Sequence, residues 1–253
     1  MIDLHTHVLP ALDDGPATME GSLELLRAAH ADGISRVAAT PHVREDYPTT
    51  PDAMERLVGE VNAAAREAGI PVEVLPGAEL DLAFLQGLDD ATLARFGLGG
   101  NPRVLLLEFP YQGWPVALQD TVFRLATRGF RTVLAHPERN AEVQAAPERL
   151  QPLLEAGVLV QLTAASVDGR LGRRAQGCAR DLLSAGLAHL LASDAHASSV
   201  RATGLTAAAE TIRYPELVAW LTREMPRALL ADEPLPPRPE RRRSPRLPIP
   251  WRA

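Results

Sequence analysis

The chain has 253 residues, 46% hydrophobic and 23% charged, enough to bury a large core in either one α/β barrel or two small domains. A formal net charge of −6 argues against a nucleic-acid partner, and the single cysteine, Cys178, excludes an internal disulfide framework. No apolar run approaches the roughly 18 residues that a membrane helix needs. The first predicted strand starts at Met1 and leaves no room for a signal peptide, so the expected compartment is the cytoplasm.

Seven short apolar runs punctuate the chain, at residues 2–4, 36–39, 72–75, 104–107, 132–135, 158–162 and 189–192. Helices are predicted between and after them. Residues 19–32 carry Leu23, Leu26 and Ala29 at helical spacing and stop at Gly33, and 51–67 stops at Gly69. Further helices are predicted at 115–128, 147–156, 173–185 and 205–223, with Gly129, Gly157 and Gly186 closing three of the six. Strands alternating with amphipathic helices predict a parallel sheet, and a series this long predicts one barrel-like α/β domain over residues 1–233. From 234 to 253 the composition shifts to Pro and Arg. With so little apolar surface to bury, this tail is expected to be disordered or docked as an extended strap, or to touch an anionic lipid surface or a partner.

The ends of the predicted strands carry the chemistry. His5 and His7 stand two residues apart where the first strand ends, and a period of two places them on one face. His42, Glu79, Glu108, His136 and the pair Asp194 and His196 follow later strands, with Asp13 and Asp14 in the loop beyond the first pair. In a parallel α/β barrel these ends share the active-site face. Imidazole and carboxylate without thiolate suit Zn, Mn or Fe in a hydrolytic site. Nine candidate ligands are too many for one ion and predict two or three, with a bridging carboxylate. Four carboxylates against three divalent ions would leave about two positive charges, suited to a phosphate dianion. Arg139 and Arg201 are candidate phosphoryl contacts, since a guanidinium binds phosphate bidentately. His30 and His189 read as structural. Cys178 reads as a buried helix residue: a Cys-x5-Arg phosphatase loop would need Arg where Ser184 stands.

The segments His5-Thr6-His7, Thr40-Pro41-His42, Glu79, His136-Pro137 and Asp194-Ala195-His196 resemble, in order, the PHP (polymerase and histidinol phosphatase) superfamily. Within it, residues 9–15, 107–110, 135–140 and 192–196 are similar to the bacterial tyrosine phosphatases of capsule and exopolysaccharide loci. The resemblance implies a distorted seven-stranded (β/α)7 TIM-like barrel and a site for three divalent ions, Mn foremost, with Zn or Fe also accepting such ligands. His5, His7, Glu79 and Asp194 would hold the first ion, and Glu79 would bridge to a second held by Glu108 and His136. His42, His196 and one of the adjacent aspartates, Asp13 or with preference Asp14, would hold the third. Arg139 and Arg201 would contact phosphate, and Asp194 would supply a proton where one is needed. The implied reaction is phosphomonoester hydrolysis on a phosphotyrosine protein, a bacterial tyrosine autokinase of polysaccharide synthesis. The alternatives are a small-molecule phosphatase, such as one for histidinol phosphate, and a non-catalytic metal-stabilised scaffold with a basic interaction tail.

Overall fold

The computed structural model describes residues 1–196 and 204–240; Arg201 and residues 241–253 of the tail lie outside the described residues. Strands occupy all seven expected positions: β1 Ile2–Thr6, β2 Arg36–Ala39, then, after two short additions, β5 Glu73–Leu75, β7 Val104–Glu108, β8 Arg131–Ala135, β9 Leu159–Thr163 and β10 Leu190–Ala192. The additions before β5 are β3 His42–Arg44 and β4 Tyr47–Pro48, and a third, β6 Glu79–Asp81, follows β5. They arise because the chain breaks and resumes. Pro41 and Pro76 have no N–H to give to a ladder, so β2 and β5 end before them, and β3 and β6 carry on beyond.

One parallel sheet has the order β1-β2-β5 and the other the order β10-β9-β8-β7-β6-β3-β4, in which only the β3–β4 pair is antiparallel. Hydrogen bonds also join β1 to the end of β10. Asp194 N donates to His5 O at 2.9 Å, and His7 N donates to Ala195 O at 2.8 Å. The buried Asp3 carboxylate reinforces that seam by accepting from Ser193 N at 3.0 Å. Along β1 the pairing with β2 slips between Asp3 and Thr6. Such an irregularity re-aims side chains, and here it lies beside His5.

The strands are near-continuous apolar runs, as befits a parallel sheet covered on both faces: every residue of β7 and β9 is buried. Helices supply the cover. Pro51–Glu67 turns Met54, Leu57, Val58, Val61 and Ala65 inward, and its N-cap Thr50 accepts from Ala53 N, worth about 1 kcal/mol.

Three helices differ from expectation. The stretch 115–128 is helical only over Leu118–Thr127, with Val116 almost wholly exposed. Residues 147–156 divide into a 3-10 turn, Pro147–Leu150, and a short helix, Gln151–Glu155. The single helix expected over 205–223 is broken. Thr206–Ile212 ends at Arg213 in the left-handed region, and Pro215 starts the next helix, Pro215–Ala219. A residue before proline is driven out of the helical region, and Tyr214 sits at φ −142° and ψ 90°.

Beyond the last helix the chain continues to residue 240 without helix or strand. Trp220 Nε1 donates to Pro236 O at 3.0 Å, and Arg238 donates to Ala188 O and Leu183 O, both at 2.8 Å. Among the described residues no helix is long and apolar enough to cross a membrane.

Candidate metal centre

All nine candidate ligands come together at the C-terminal ends of the strands. Four of their atoms form the tightest group: His5 Nε2 and His7 Nε2 are 3.3 Å apart, and each lies 3.4 Å from both Glu79 Oε2 and Asp194 Oδ1. These five separations test whether an ion fits. Donors about 2.1 Å from a tetrahedral ion are about 3.4 Å from one another, so each of these five separations is one that two ligands of a shared ion would show. Glu79 Oε2 also lies 3.0 Å from His42 Nδ1, yet neither atom has a hydrogen-bond partner, although both are buried. Lone-pair donors converging without hydrogen bonds are what a cation satisfies.

Two further groups extend from Glu79. Its Oε1 lies 2.8 Å from His136 Nε2, and Glu108 Oε2 lies 3.6 Å from His42 Nδ1, so Glu108 groups with His42 and Glu79. On the far side, Asp14 Oδ1 is 3.1 Å from His196 Nε2 and 3.4 Å from His42 Nε2. Glu79 is the one carboxylate common to the inner groups.

Three of the five imidazoles are turned by a second partner. His5 Nδ1–H donates to Gln161 Oε1 at 2.9 Å, His7 Nδ1–H to Asp13 Oδ2 at 2.7 Å, and His196 Nδ1–H to the Asp194 carbonyl at 2.9 Å. Every one of these leaves Nε2 with its lone pair toward the cluster, as an outer partner of a metal ligand does. The adjacent aspartates are placed differently. Asp13 is spent on His7 and on the backbone N–H groups of Gly15 and His42, whereas Asp14 faces the histidines. Gly15 lets this loop close on β1, because a Cβ there would lie 2.3 Å from His7 O.

The backbone is held away from its preferred regions at two of these positions. His136 has φ 34° and Asp194 φ 53°, and left-handed conformations in residues with a Cβ cost of order 1–3 kcal/mol. Both occur just after a strand ends, where the turn swings the side chain over the cluster.

The electrostatics point the same way. Burial, then the neighbouring Glu79, pushes Glu108 up to about 8. Burial and Arg139 pull His136 down to about 4, keeping it a neutral donor. Burial opposes charge on His7, yet the carboxylates of Asp13, Asp194 and Glu79 hold its pKa well above the ordinary imidazole value. Protons on these groups offset negative charge that divalent cations would otherwise balance.

Arg139 lies at the rim. Its Nη1 donates to Asp194 Oδ2 at 2.7 Å, and its guanidinium carbon stands 4.5 Å from the Tyr111 ring centre. A guanidinium has five N–H donors, so several remain for an anion. His189 is structural, accepting from Val160 N at 3.2 Å beside Trp220. Exposed His30 and buried Cys178 stand in helices, as expected.

Sequence reasoning missed Gln161, which turns His5, and Asp3, which ties β1 to Ser193. Gln161 had a usable signal, as the one polar side chain inside the run Leu159-Val160-Gln161-Leu162, where a buried amide needs a partner. Gln161→Leu keeps the volume and removes the acceptor, and we expect a 10- to 100-fold fall in metal affinity, roughly the cost of losing an outer partner. Metal titration of the variant checks it; an unchanged affinity would mean that Gln161 only fills space.

The family described as capsular polysaccharide synthesis, CpsB/CapC, matches residues 1–219. The tyrosine-protein phosphatase YwqE of Bacillus subtilis (strain 168) is 36% identical over 197 residues, 78% of this chain and 77% of the relative. The putative tyrosine-protein phosphatase CapC of Staphylococcus aureus is 28% identical over 204 residues, 79% of each chain. A crystal structure reported for YwqE from Bacillus subtilis and CpsB from Streptococcus pneumoniae, described as unique metal-dependent tyrosine phosphatases, superposes with a TM-score of 0.85 at 32% identity. It covers 96% of this chain and 100% of that one.

Proposed function

We propose, from the premise that the chain belongs to the CpsB/CapC family of capsular polysaccharide synthesis, that it is a metal-dependent tyrosine-protein phosphatase. The observation that carries this reading is the single carboxylate Glu79, placed among His5, His7, His42 and His136 at 2.8–3.4 Å. A bridging carboxylate amid imidazoles is the arrangement that a multi-ion hydrolytic site requires.

The finer reading has three ions, Mn foremost. His5, His7, Glu79 and Asp194 would hold the first, Glu79, Glu108 and His136 the second, and Asp14, His42 and His196 the third. We read the two sheets as one distorted seven-stranded (β/α)7 TIM-like barrel of the PHP type, with β3 and β6 prolonging interrupted staves; the bonds between β1 and the end of β10 support that reading. Residues 1–233 form the phosphatase domain and 234–253 an appended tail able to associate peripherally with a membrane. The substrate is a phosphotyrosine protein in the cytoplasm, a tyrosine autokinase of polysaccharide synthesis.

Bound ions would supply Lewis acidity and a water acidic enough to attack phosphorus at neutral pH. The chain's own groups do the rest. The histidines, their tautomers held by Gln161, Asp13 and the Asp194 carbonyl, keep their lone pairs aimed at the cluster. Arg139 offers its remaining N–H groups to phosphoryl oxygens and offsets charge gathering on them. Asp194 shares its two oxygens between Arg139 and the histidine pair, which ties the phosphate-binding group to the metal-binding one. Tyrosine phenolate, whose conjugate acid has a pKa of about 10, departs more readily than an alkoxide and needs little proton donation; we assign any proton it takes up to Asp194 or to water. Arg201 is the second phosphate contact in this reading.

Hydrolysis of a phosphotyrosyl peptide by the purified protein, with and without chelator and added Mn, tests the proposal. Chelator-sensitive cleavage is expected. A metal-loaded protein that cleaves histidinol phosphate and not phosphotyrosine would overturn it. In the same assay Arg139→Ala should lower kcat/KM by roughly 10²-fold, within the range for loss of one charge-stabilising donor, while the metal content stays at the wild-type level. Loss of metal in this variant would instead assign Arg139 a role in holding Asp194.

A further inference from the structure

The chain contains three tyrosines, and two of them stand beside the metal cluster in matching surroundings. Tyr47 begins β4, hairpin-paired with Arg44 of β3. Its ring lies 5.9 Å from the His42 ring at an interplanar angle of 19°, with the Arg44 guanidinium carbon 5.0 Å from its centre. Tyr111 follows β7; its ring lies 5.8 Å from the His136 ring, with the Arg139 guanidinium carbon 4.5 Å from its centre. Each pair is thus one tyrosine, one arginine and one ligand histidine, and the two pairs belong to different elements.

Both rings are held firmly yet reach solvent. Tyr47 is half-buried, and Tyr111 is 40% exposed. The Tyr111 carbonyl accepts from Ala141 N at 2.9 Å, and Asn140 Nδ2 donates to Pro110 O at 2.7 Å and Gly113 O at 2.9 Å. This ties the Tyr111 loop to the segment that carries His136 and Arg139. A chain with only 4% aromatic residues has no packing need to expose two of them here.

We propose that Tyr47 and Tyr111 are specificity-determining residues, forming aromatic walls that receive the ring of an aryl phosphate while the phosphoryl group sits on the cluster. The inference rests on the phosphatase reading above. A phosphoryl group bound at Arg139 and the histidines brings its ester substituent out past these rings. An aryl substituent can pack edge-to-face or offset against them, contacts worth about three- to tenfold in affinity per ring pair. An alkyl ester of serine or threonine leaves them in water. The arginines, stacked on the rings, keep the walls in place at little conformational cost.

The test measures KM and kcat for a phosphotyrosyl peptide and, in the same preparations, the inhibition constant of inorganic phosphate, which has no ring. Tyr111→Leu and Tyr47→Leu should each raise the peptide KM about three- to tenfold, with the phosphate inhibition constant and the metal content unmoved. Tyr111→Phe, which keeps the ring, should recover most of that loss. A parallel rise in both constants would overturn the proposal, making the tyrosines positioning residues for Arg44 and Arg139, and so would an unchanged peptide KM in both leucine variants. A wild-type protein that binds phosphate but never cleaves the peptide would overturn the phosphatase reading itself, and the walls with it.

Discussion

Replacing Glu79 by glutamine is expected to abolish turnover, lowering it by roughly 10³-fold or more, and to strip metal from the site. The magnitude exceeds the 10- to 100-fold that loss of an outer partner costs, because Glu79 belongs to more than one ligand group. Its Oε1 meets His136 and its Oε2 meets His5, His7 and His42. Glutamine nearly preserves the shape, but it removes the negative charge and turns one acceptor into a donor that cannot ligate. The folded structure should survive, since the amide can still hydrogen-bond to the neutral imidazoles. Metal content by plasma mass spectrometry, read beside turnover on a phosphotyrosyl peptide, decides the matter. Near-wild-type values of both would remove Glu79 from the centre of the mechanism.

Chelation should have the second largest effect, and it should appear in stability as well as rate. Asp14, Glu79, Glu108 and Asp194 crowd one site, and burial with Glu79 drives Glu108 up to about 8. An ion that binds the folded state alone stabilises it by about 4 kcal/mol when present at a thousand times its dissociation constant. For a chain of this size each kcal/mol corresponds to roughly 2–4 °C in Tm. Removing one such ion should therefore lower Tm by about 8–16 °C, and removing several should lower it further. Calorimetry before and after EDTA treatment, followed by Mn addition, gives the sign directly. A Tm and a turnover both indifferent to chelator would contradict a metal centre.

Arg238 shows how the start of the tail is held. The Pro- and Arg-rich tail is expected to be disordered or docked as an extended strap, and within the described residues Arg238 donates to the Leu183 and Ala188 carbonyls. Leu183 lies in the last turn of one helix, where Gly186 N also donates to its carbonyl, and Ala188 lies on the approach to β10, so the guanidinium bridges the two.

The sequence by itself determined the parts that depend on near neighbours. Strand period placed His5 and His7 on one face, glycines and prolines marked where helices stop, and ligand-type residues after successive apolar runs announced a metal site on one face of a parallel sheet. The break between the helices ending at Ile212 and starting at Pro215 was missed, although Pro215 was a local signal acting on Tyr214. Only the tertiary structure decided which of Asp13 and Asp14 faces the cluster, that Glu79 is the shared carboxylate, that Glu108 stands beside His42, that Gln161 orients His5 across 156 positions of sequence, and that two tyrosines flank the site. The reason is geometric. Periodicity fixes the direction of a side chain relative to its own backbone, but convergence on one point depends on how the strands are arranged around the sheet, and no local pattern encodes that.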